Sequence, residues 1–293
     1  MPEVAVEQPV RKTRRTREKP RVERVKLSLP TTKNVPPSNL HESVVMIYGR
    51  KGIGKTSLAA QFDNSLVFMF ERGRRNLEIM QIPQKGEKPL DWKTFIDYIE
   101  LFLESDFNTC VIDTIDRAYI ACYQYVCAEY GIKTPENYAS PYTVWDSIAT
   151  EFETVLSLIQ ESDKGLIFLS HEKVRPLTTK IKGLRREDDE NTFSYERLEP
   201  SCKPAAFRFI QEICDFVLYY GFNEEYRCIT VRSPNDVAWT SCGMSDRFND
   251  PDGNPVNTFK VGTSPEEAYQ TLNKANSNEV YDIDYVPPRK RSK

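Results

Sequence analysis

Ser43 to Ala60 read SVVMIYGRKGIGKTSLAA, and the fold class turns on these residues. Val44 to Tyr48 form a β-branched apolar run that breaks at Gly49. From there Gly49-Arg50-Lys51-Gly52-Ile53-Gly54-Lys55-Thr56 fits G-x-x-x-x-G-K-[ST] at every fixed position, with Ser57 following. The spacing has a chemical reason. Glycines let the backbone curl so that successive N–H groups converge on phosphate oxygens, and a helix opening at Gly54 aims its positive end at the same point. Lys55 then reaches the β- and γ-phosphates and the Thr56 hydroxyl holds Mg²⁺. A Gly-rich turn can match by accident, but a strand before and a helix after argue against accident here.

Downstream, three apolar runs end on polar groups. Ser65 to Phe70 ends at Glu71, Thr109 to Ile112 closes on Asp113-Thr114, and Gly165 to Ser170 closes on His171-Glu172. In an open α/β sheet, ligands collect at the carboxyl ends of the strands. Asp113 therefore reads as a Walker B carboxylate serving Mg²⁺, and Glu71 as the first candidate for polarising an attacking water, with Glu172 and Asp116 behind it. Against this, Glu71 also suits an ordinary surface charge at a strand end. His171 can sense the γ-phosphate or be a structural histidine. Asp116 is either a second acid at the site or, as its position favours, the N-cap of a helix over 117–130.

Between these strands lie amphipathic helices. The spacing predicts one over 91–104, built on Trp92, Phe95, Ile96, Ile99, Phe102 and Leu103, and one over 143–160, with Trp145, Ile148, Phe152, Val155, Leu156 and Ile159 buried. Further on, Lys203 to Ile213 reads as a helix, and Cys214 to Gly221 and Tyr226 to Val231 as strands joined at Asn223-Glu224. Residues 233–262 read mainly as loop, with Trp239 and Met244 packing. Ser264-Pro265-Glu266-Glu267 is a capping-box start to a short helix. Residues 173–201 read as a long polar loop carrying Lys180, Lys182, Arg185 and Arg186, then four acids, then Phe193 and Tyr195. Cations followed by rings suit single-stranded nucleic acid; the acidic block suits a plain mobile loop equally well.

The ends are different in kind. Residues 1–38 concentrate Arg11, Lys12, Arg14, Arg15, Arg17, Lys19, Arg21, Arg24 and Lys26 without hydrophobic periodicity, which predicts a disordered basic arm. Such an arm can contact nucleic-acid phosphates, act as an address signal or simply solubilise. A core over 39–250 is followed by an extension over 251–274 and a disordered basic tail over 275–293 ending PPRKRSK. Net charge is -3 and the hydrophobic fraction 39%, so totals alone decide nothing about partners. Seven cysteines without a C-x-x-C pair, and only two histidines, predict reduced thiols and no zinc site. No apolar run reaches the ~18 residues of a membrane span, and no secretory signal is evident. A soluble, cytoplasmic protein is expected.

Phosphate loop, strand ending in Glu71, strand ending in Asp113, strand ending in His171 and then a long segment: this order resembles the RecA-like ATPase core over residues 40–250. It is more closely similar to the compact phage-encoded ATP-binding proteins of the RecA-like, single-strand-annealing kind. The resemblance implies a RecA-like P-loop NTPase α/β fold with a mostly parallel sheet flanked by helices, using ATP and Mg²⁺. By the same resemblance Glu71 activates water, Asp113 serves the metal, and His171 senses nucleotide and leads into a DNA-binding loop at 173–201. It further implies a homo-oligomer acting on single-stranded DNA in recombination, annealing or replication, with phage single-strand-binding or replication proteins as partners in the host cytoplasm. The family often carries a Lys and an Arg together near the end of the core. Ser245-Asp246-Arg247 keeps only the Arg, so Arg247 and Lys203 are the candidates for a cation acting across subunits. The basic run Arg72-Gly73-Arg74-Arg75 is a second departure. A nucleotide switch with little hydrolysis and a P-loop kinase stay open, although no acceptor site or lid is identifiable for the latter. A GTPase is disfavoured, because Asn273-Lys274-Ala275-Asn276 lacks the Asp of N-K-x-D.

Overall fold

A computed structural model of the chain describes residues 29–33, 39–71, 77–84, 86–180, 192–223 and 225–283. The basic run at 72–75, most of the N-terminal arm and the last ten residues lie outside them. The apolar run ahead of the phosphate loop is strand β1 (Val44–Gly49), and it is buried on both faces. Such double burial is what a central parallel strand requires. Its neighbours are β5 (Gly165–Lys180) and β7 (Phe216–Asn223), both parallel to it. Next to β5 comes β4 (Thr109–Asp113), then β2 (Ser65–Met69) and the two-residue β3 (Gln81–Ile82), all parallel. The phosphate-loop strand and the Asp113 strand are thus one strand apart, with β5 between them.

Antiparallel strands complete the β7 side. β8 (Tyr226–Thr230) pairs with β7, β9 (Ser241–Cys242) also pairs with β7, and β10 (Thr258–Lys260) pairs with β8. Successive side chains alternate between two hydrophobic layers. Met46, Tyr48, Phe68, Ile112 and Phe168 face helices α2 (Trp92–Leu103), α3 (Ile115–Glu129), α4 (Pro141–Gln160) and α5 (Pro204–Ile213). Val45, Ile47, Val67, Val111 and Ile167 face α1 (Lys55–Ala59) and α6 (Pro265–Asn276). This is the mostly parallel α/β sheet flanked by helices that the sequence predicts.

Local chemistry sets the helix starts. Asp91 caps α2 by accepting from the Thr94 N–H at 2.8 Å. Ser264 and Glu267 close a reciprocal capping box on α6, as their spacing predicts. Proline opens α4 two residues ahead of the predicted start, at Pro141. Trp145 does not belong to the buried stripe of α4. It is 41% exposed and packs its ring on Tyr123.

Two further expectations are corrected. Residues 173–201 are not a loop: β5 runs on to Lys180 and returns as β6 (Thr192–Pro200), antiparallel from Glu172↔Pro200 to Lys180↔Thr192. The ribbon is polar on both faces, so it has no apolar alternation to reveal it, while its Thr, Val and Tyr content favours strand. Residues 233–262 are mainly loop, as expected, with Trp239 packed on Phe207 and Met244 against the core; the short β9 and β10 and the buried Phe248, Val256 and Phe259 lie within them. The extension at 251–274 supplies a strand and a helix to this same sheet and core. Residues 275–283 are packed as well: Ala275 is buried, and the Ile283 N–H donates to the Thr258 carbonyl at 2.9 Å.

All seven cysteines are free thiols, five buried and two, Cys214 and Cys242, half-buried. No described helix is long and apolar enough to cross a membrane. Phe68 is fully buried and meets Phe95 and Phe102 edge-on. Phe68→Ala is expected to cost about 3–5 kcal/mol in denaturant unfolding, and Ser264→Ala, which removes only the α6 cap, about 1 kcal/mol.

Candidate phosphate and metal site

The carboxyl ends of β1, β2 and β4 and the point where β5 leaves the main sheet meet at one cleft, and the loop after β1 forms its floor. A side chain at Gly49 would put its Cβ 2.1 Å from the Tyr220 carbonyl oxygen, so the loop can leave the sheet this closely only through glycine. Gly54 sits at φ 110°, where other residues are strained, and it caps the start of α1. From that turn Lys55 and Thr56 point into the cleft. The buried Lys55 Nζ donates to the carbonyls of Gly49 at 2.8 Å and Arg50 at 3.1 Å. Thr56 Oγ1 donates to Asp113 Oδ2 at 2.6 Å, joining the loop to the end of β4.

Asp113 is 6% exposed. Burial pushes its carboxyl above the usual carboxylate range, and the Thr56 hydrogen bond opposes that. Burial lowers the Lys55 ammonium, and Asp113 opposes that in turn. A buried carboxylate bonded to a hydroxyl, with a buried ammonium close by, is a donor set that fits Mg²⁺ and a polyphosphate. The cleft also contains Gly52, Ser57, Met69 and Leu77.

Glu71 projects from the end of β2 toward Asp113. Its Oε1 accepts from Thr114 Oγ1 at 3.2 Å and lies 3.3 Å from His171 Nε2, with Arg117 Nε at 3.8 Å. Among the described residues, His171 Nδ1 and Glu172 Oε2 are buried without a hydrogen-bond partner, so each retains unused hydrogen-bonding capacity where β5 leaves the main sheet. Thr114 and Arg117 were not singled out from the sequence. Thr114 directly follows the Asp113 strand end, and that position was the available signal.

The structure thus brings together the loop residues, Asp113, Glu71 and His171. It places Asp116 elsewhere. Thr114, not Asp116, is the N-cap residue of α3. The Asp116 carboxylate accepts from Ser170 Oγ at 3.0 Å and Ser201 Oγ at 2.7 Å, where the β5–β6 ribbon joins the sheet. Lys203 is the exposed N-cap residue of α5. The Arg247 carbonyl accepts from Arg232 Nη2 at 2.9 Å. Lys182, Arg185 and Arg186 lie outside the described residues, as does the side chain of Lys180. The ribbon's described arginines are engaged by acids: Arg197 with Glu199 at 2.6 Å and Asp236 at 3.0 Å, and Arg175 with Glu199 at 3.5 Å.

No curated protein sequence matches the chain. Among solved structures, a KaiC-like protein from the hyperthermophilic archaeon Pyrococcus horikoshii OT3 is similar with a TM-score of 0.39 at 13% identity, covering 78% of this chain and 88% of that one. The sequence model of an AAA domain (AAA_24) matches residues 41–250, which spans the phosphate loop, the Asp113 strand and the ribbon. On that match, the chain belongs to this AAA domain family of P-loop ATPases.

Proposed function

We propose that the protein hydrolyses ATP with Mg²⁺ and that its nucleotide state controls its hold on single-stranded DNA, in the recombination, annealing or replication role that the resemblance implies. The convergence of Lys55, the Thr56–Asp113 pair and the Glu71–His171 pair on one cleft carries the hydrolytic part. Bound Mg²⁺ supplies charge neutralisation on the phosphate oxygens. Thr56 and Asp113 would hold it, largely through water on the Asp113 side. Lys55 exchanges the carbonyls of Gly49 and Arg50 for phosphate oxygens, which satisfy an ammonium better than neutral carbonyls do.

Glu71 orients the attacking water by accepting its hydrogen bond, and Thr114 and His171 fix the carboxylate while it does so. Catalysis of this kind is positioning and preorganised charge rather than covalent chemistry. His171, the last main-sheet residue of β5, directly precedes the ribbon, so one residue touches Glu71 and adjoins the element proposed to report to DNA. The basic N-terminal residues add an unspecific electrostatic attraction to the same partner. A homo-oligomer would complete the site with a cation from a second copy, for which Arg247 and Lys203 are the proposed residues.

ATP turnover with and without single-stranded DNA tests the proposal. Lys55→Ala is expected to lose both nucleotide binding and turnover. Glu71→Gln is expected to keep ATP affinity and lose turnover by about 10²–10⁴-fold; unchanged turnover would remove Glu71 from the role. Asp113→Asn separates stability from function. Because burial raises the folded pKa of Asp113, the stability tied to its protonated form is present below the unfolded pKa and is lost as pH rises through the folded value. The nucleotide-free Asp113→Asn protein is therefore expected to melt higher than wild type at neutral pH while losing the Mg²⁺-dependent stabilisation by ATP. A lower melting temperature would show that the ionised carboxylate is well solvated in the fold.

A further inference from the structure

The outer surface where α3 meets α4 carries rings and acids that neither the cleft nor the core uses. Tyr142, Trp145 and Asp146 stand at i, i+3 and i+4 on α4 and so share one face. Tyr142 is 79% exposed, and the exposed Trp145 packs on Tyr123 of α3 at a centroid distance of 5.6 Å. Beside them the exposed Tyr138 meets Tyr130 edge-on at 5.0 Å, and the Tyr130 hydroxyl lies 2.8 Å from Ser147 Oγ. These contacts orient the rings and leave Tyr142, Trp145 and Tyr138 open to solvent. The turn at Pro135–Asn137, between the two helices, brings Glu136 to the same place. Its carboxyl is held below the usual range, first by its own backbone amide and then by the Thr134 and Trp145 side chains.

The charge on this surface is one-sided. From Ala118 to Gln160 the acids are Glu129, Glu136, Asp146, Glu151 and Glu153, against the single cation Lys133. Glu151 accepts from Trp92 Nε1 at 3.0 Å, but no ion pair among the described residues engages Glu129, Glu136 or Asp146. Exposed rings with unpaired carboxylates beside them favour a cation, because a guanidinium or ammonium can lie on a ring face and keep an anion within reach. The same acids repel phosphate, so nucleic acid does not suit this face. Proline suits it, since a polyproline segment is extended beforehand and loses little entropy on docking against rings. At one place in the chain a proline pair runs directly into cations: Pro287-Pro288-Arg289-Lys290-Arg291-Ser292-Lys293, which lies outside the described residues.

We infer that the face formed by Tyr123, Tyr142 and Trp145 with Glu136 and Asp146 is a docking surface for the proline–arginine segment 287–293 of a second copy of this chain. This rests on the homo-oligomer of the proposed function and names one of its contacts. Chain reach favours a second copy over the same one. The Ile283 N–H is bonded to the Thr258 carbonyl at the β10 margin, whereas α3 packs over β4 and β5. In the sheet order β5 is four places from β10, about 19 Å at the usual strand spacing. The four residues from Ile283 to Pro287 span at most about 14 Å. The proline pair therefore falls short of its own α3–α4 face and is free to meet that of a neighbour.

The test is fluorescence anisotropy of a labelled peptide with the sequence of residues 284–293 against the full chain, alongside sedimentation velocity of the chain over a concentration series with and without ATP. The peptide is expected to bind saturably to wild type and about tenfold more weakly to Trp145→Ala. Glu136→Gln and Asp146→Asn are each expected to weaken it about threefold. In sedimentation, Trp145→Ala and the double variant Arg289→Glu, Arg291→Glu are each expected to weaken self-association about tenfold, with affinity for a fluorescent ATP analogue unchanged. Absence of saturable binding, or equal binding by Trp145→Ala, would overturn the docking surface. An oligolysine peptide that binds as tightly would overturn the assignment to the proline–arginine segment. Self-association untouched by either variant would overturn the contact and leave the homo-oligomer standing. If the wild-type chain stays monomeric at every concentration with and without ATP, the homo-oligomer falls and the second copy with it. Should Trp145→Ala not fold, Tyr142→Ala and Asp146→Asn decide.

Discussion

A buried carboxylate must have a partner, and in this chain that requirement ties the phosphate loop to the sheet. Asp113 ends a strand one place removed from β1, so a residue of the phosphate loop must reach across the end of the β5 core segment to touch it. Thr56 does so at 2.6 Å, from the first turn of α1. The loop glycines matter for the same reason: Gly49 lets the backbone pass close to Tyr220, and Gly54 turns the chain so that Lys55 and Thr56 face inward. Neutral hydrogen bonds satisfy these charges only in part, since burial still displaces both Asp113 and Lys55 from their ordinary pKa values. The site is consequently one in which anion and divalent cation together are better accommodated than neither.

The ribbon is held from both sides of that site. Asp116, on the first turn after the Asp113 strand, accepts hydrogen bonds from the hydroxyls of Ser170 and Ser201, which flank the ribbon where it leaves the sheet. The Tyr48 hydroxyl, one residue ahead of the loop, lies 3.1 Å from the Leu198 carbonyl and 2.8 Å from that of Trp239. Arg197 and Tyr195 bind Asp236, and the Leu198 N–H donates to the Val237 carbonyl at 2.8 Å. A polar two-stranded ribbon has little intrinsic stability. These anchors at its root set its direction.

Legibility in the sequence followed the strength of the local signal. The loop and the strand-end residues Glu71, Asp113 and His171 were readable because continuous apolar runs mark buried parallel strands, and the chemistry collects at their ends. The ribbon was not readable, because neither face is apolar and the acidic block between its strands suggests a loop. Asp116 was misassigned because capping preference is a local rule, whereas its partners Ser170 and Ser201 are 54 and 85 residues away. Trp145 satisfied helical spacing yet lies at the margin of the buried face of α4.

The two margins of the sheet carry a consequence for assembly. On one, β3 contributes two residues and is followed at once by Pro83, which has no amide proton to offer. On the other, Ile283 donates to the Thr258 carbonyl, and the Thr258 N–H is taken by Asp282 at 2.9 Å. Neither rim offers a neighbouring copy a free ladder of backbone groups. Growth by continuing the main sheet from molecule to molecule across these two margins is therefore disfavoured from the outset.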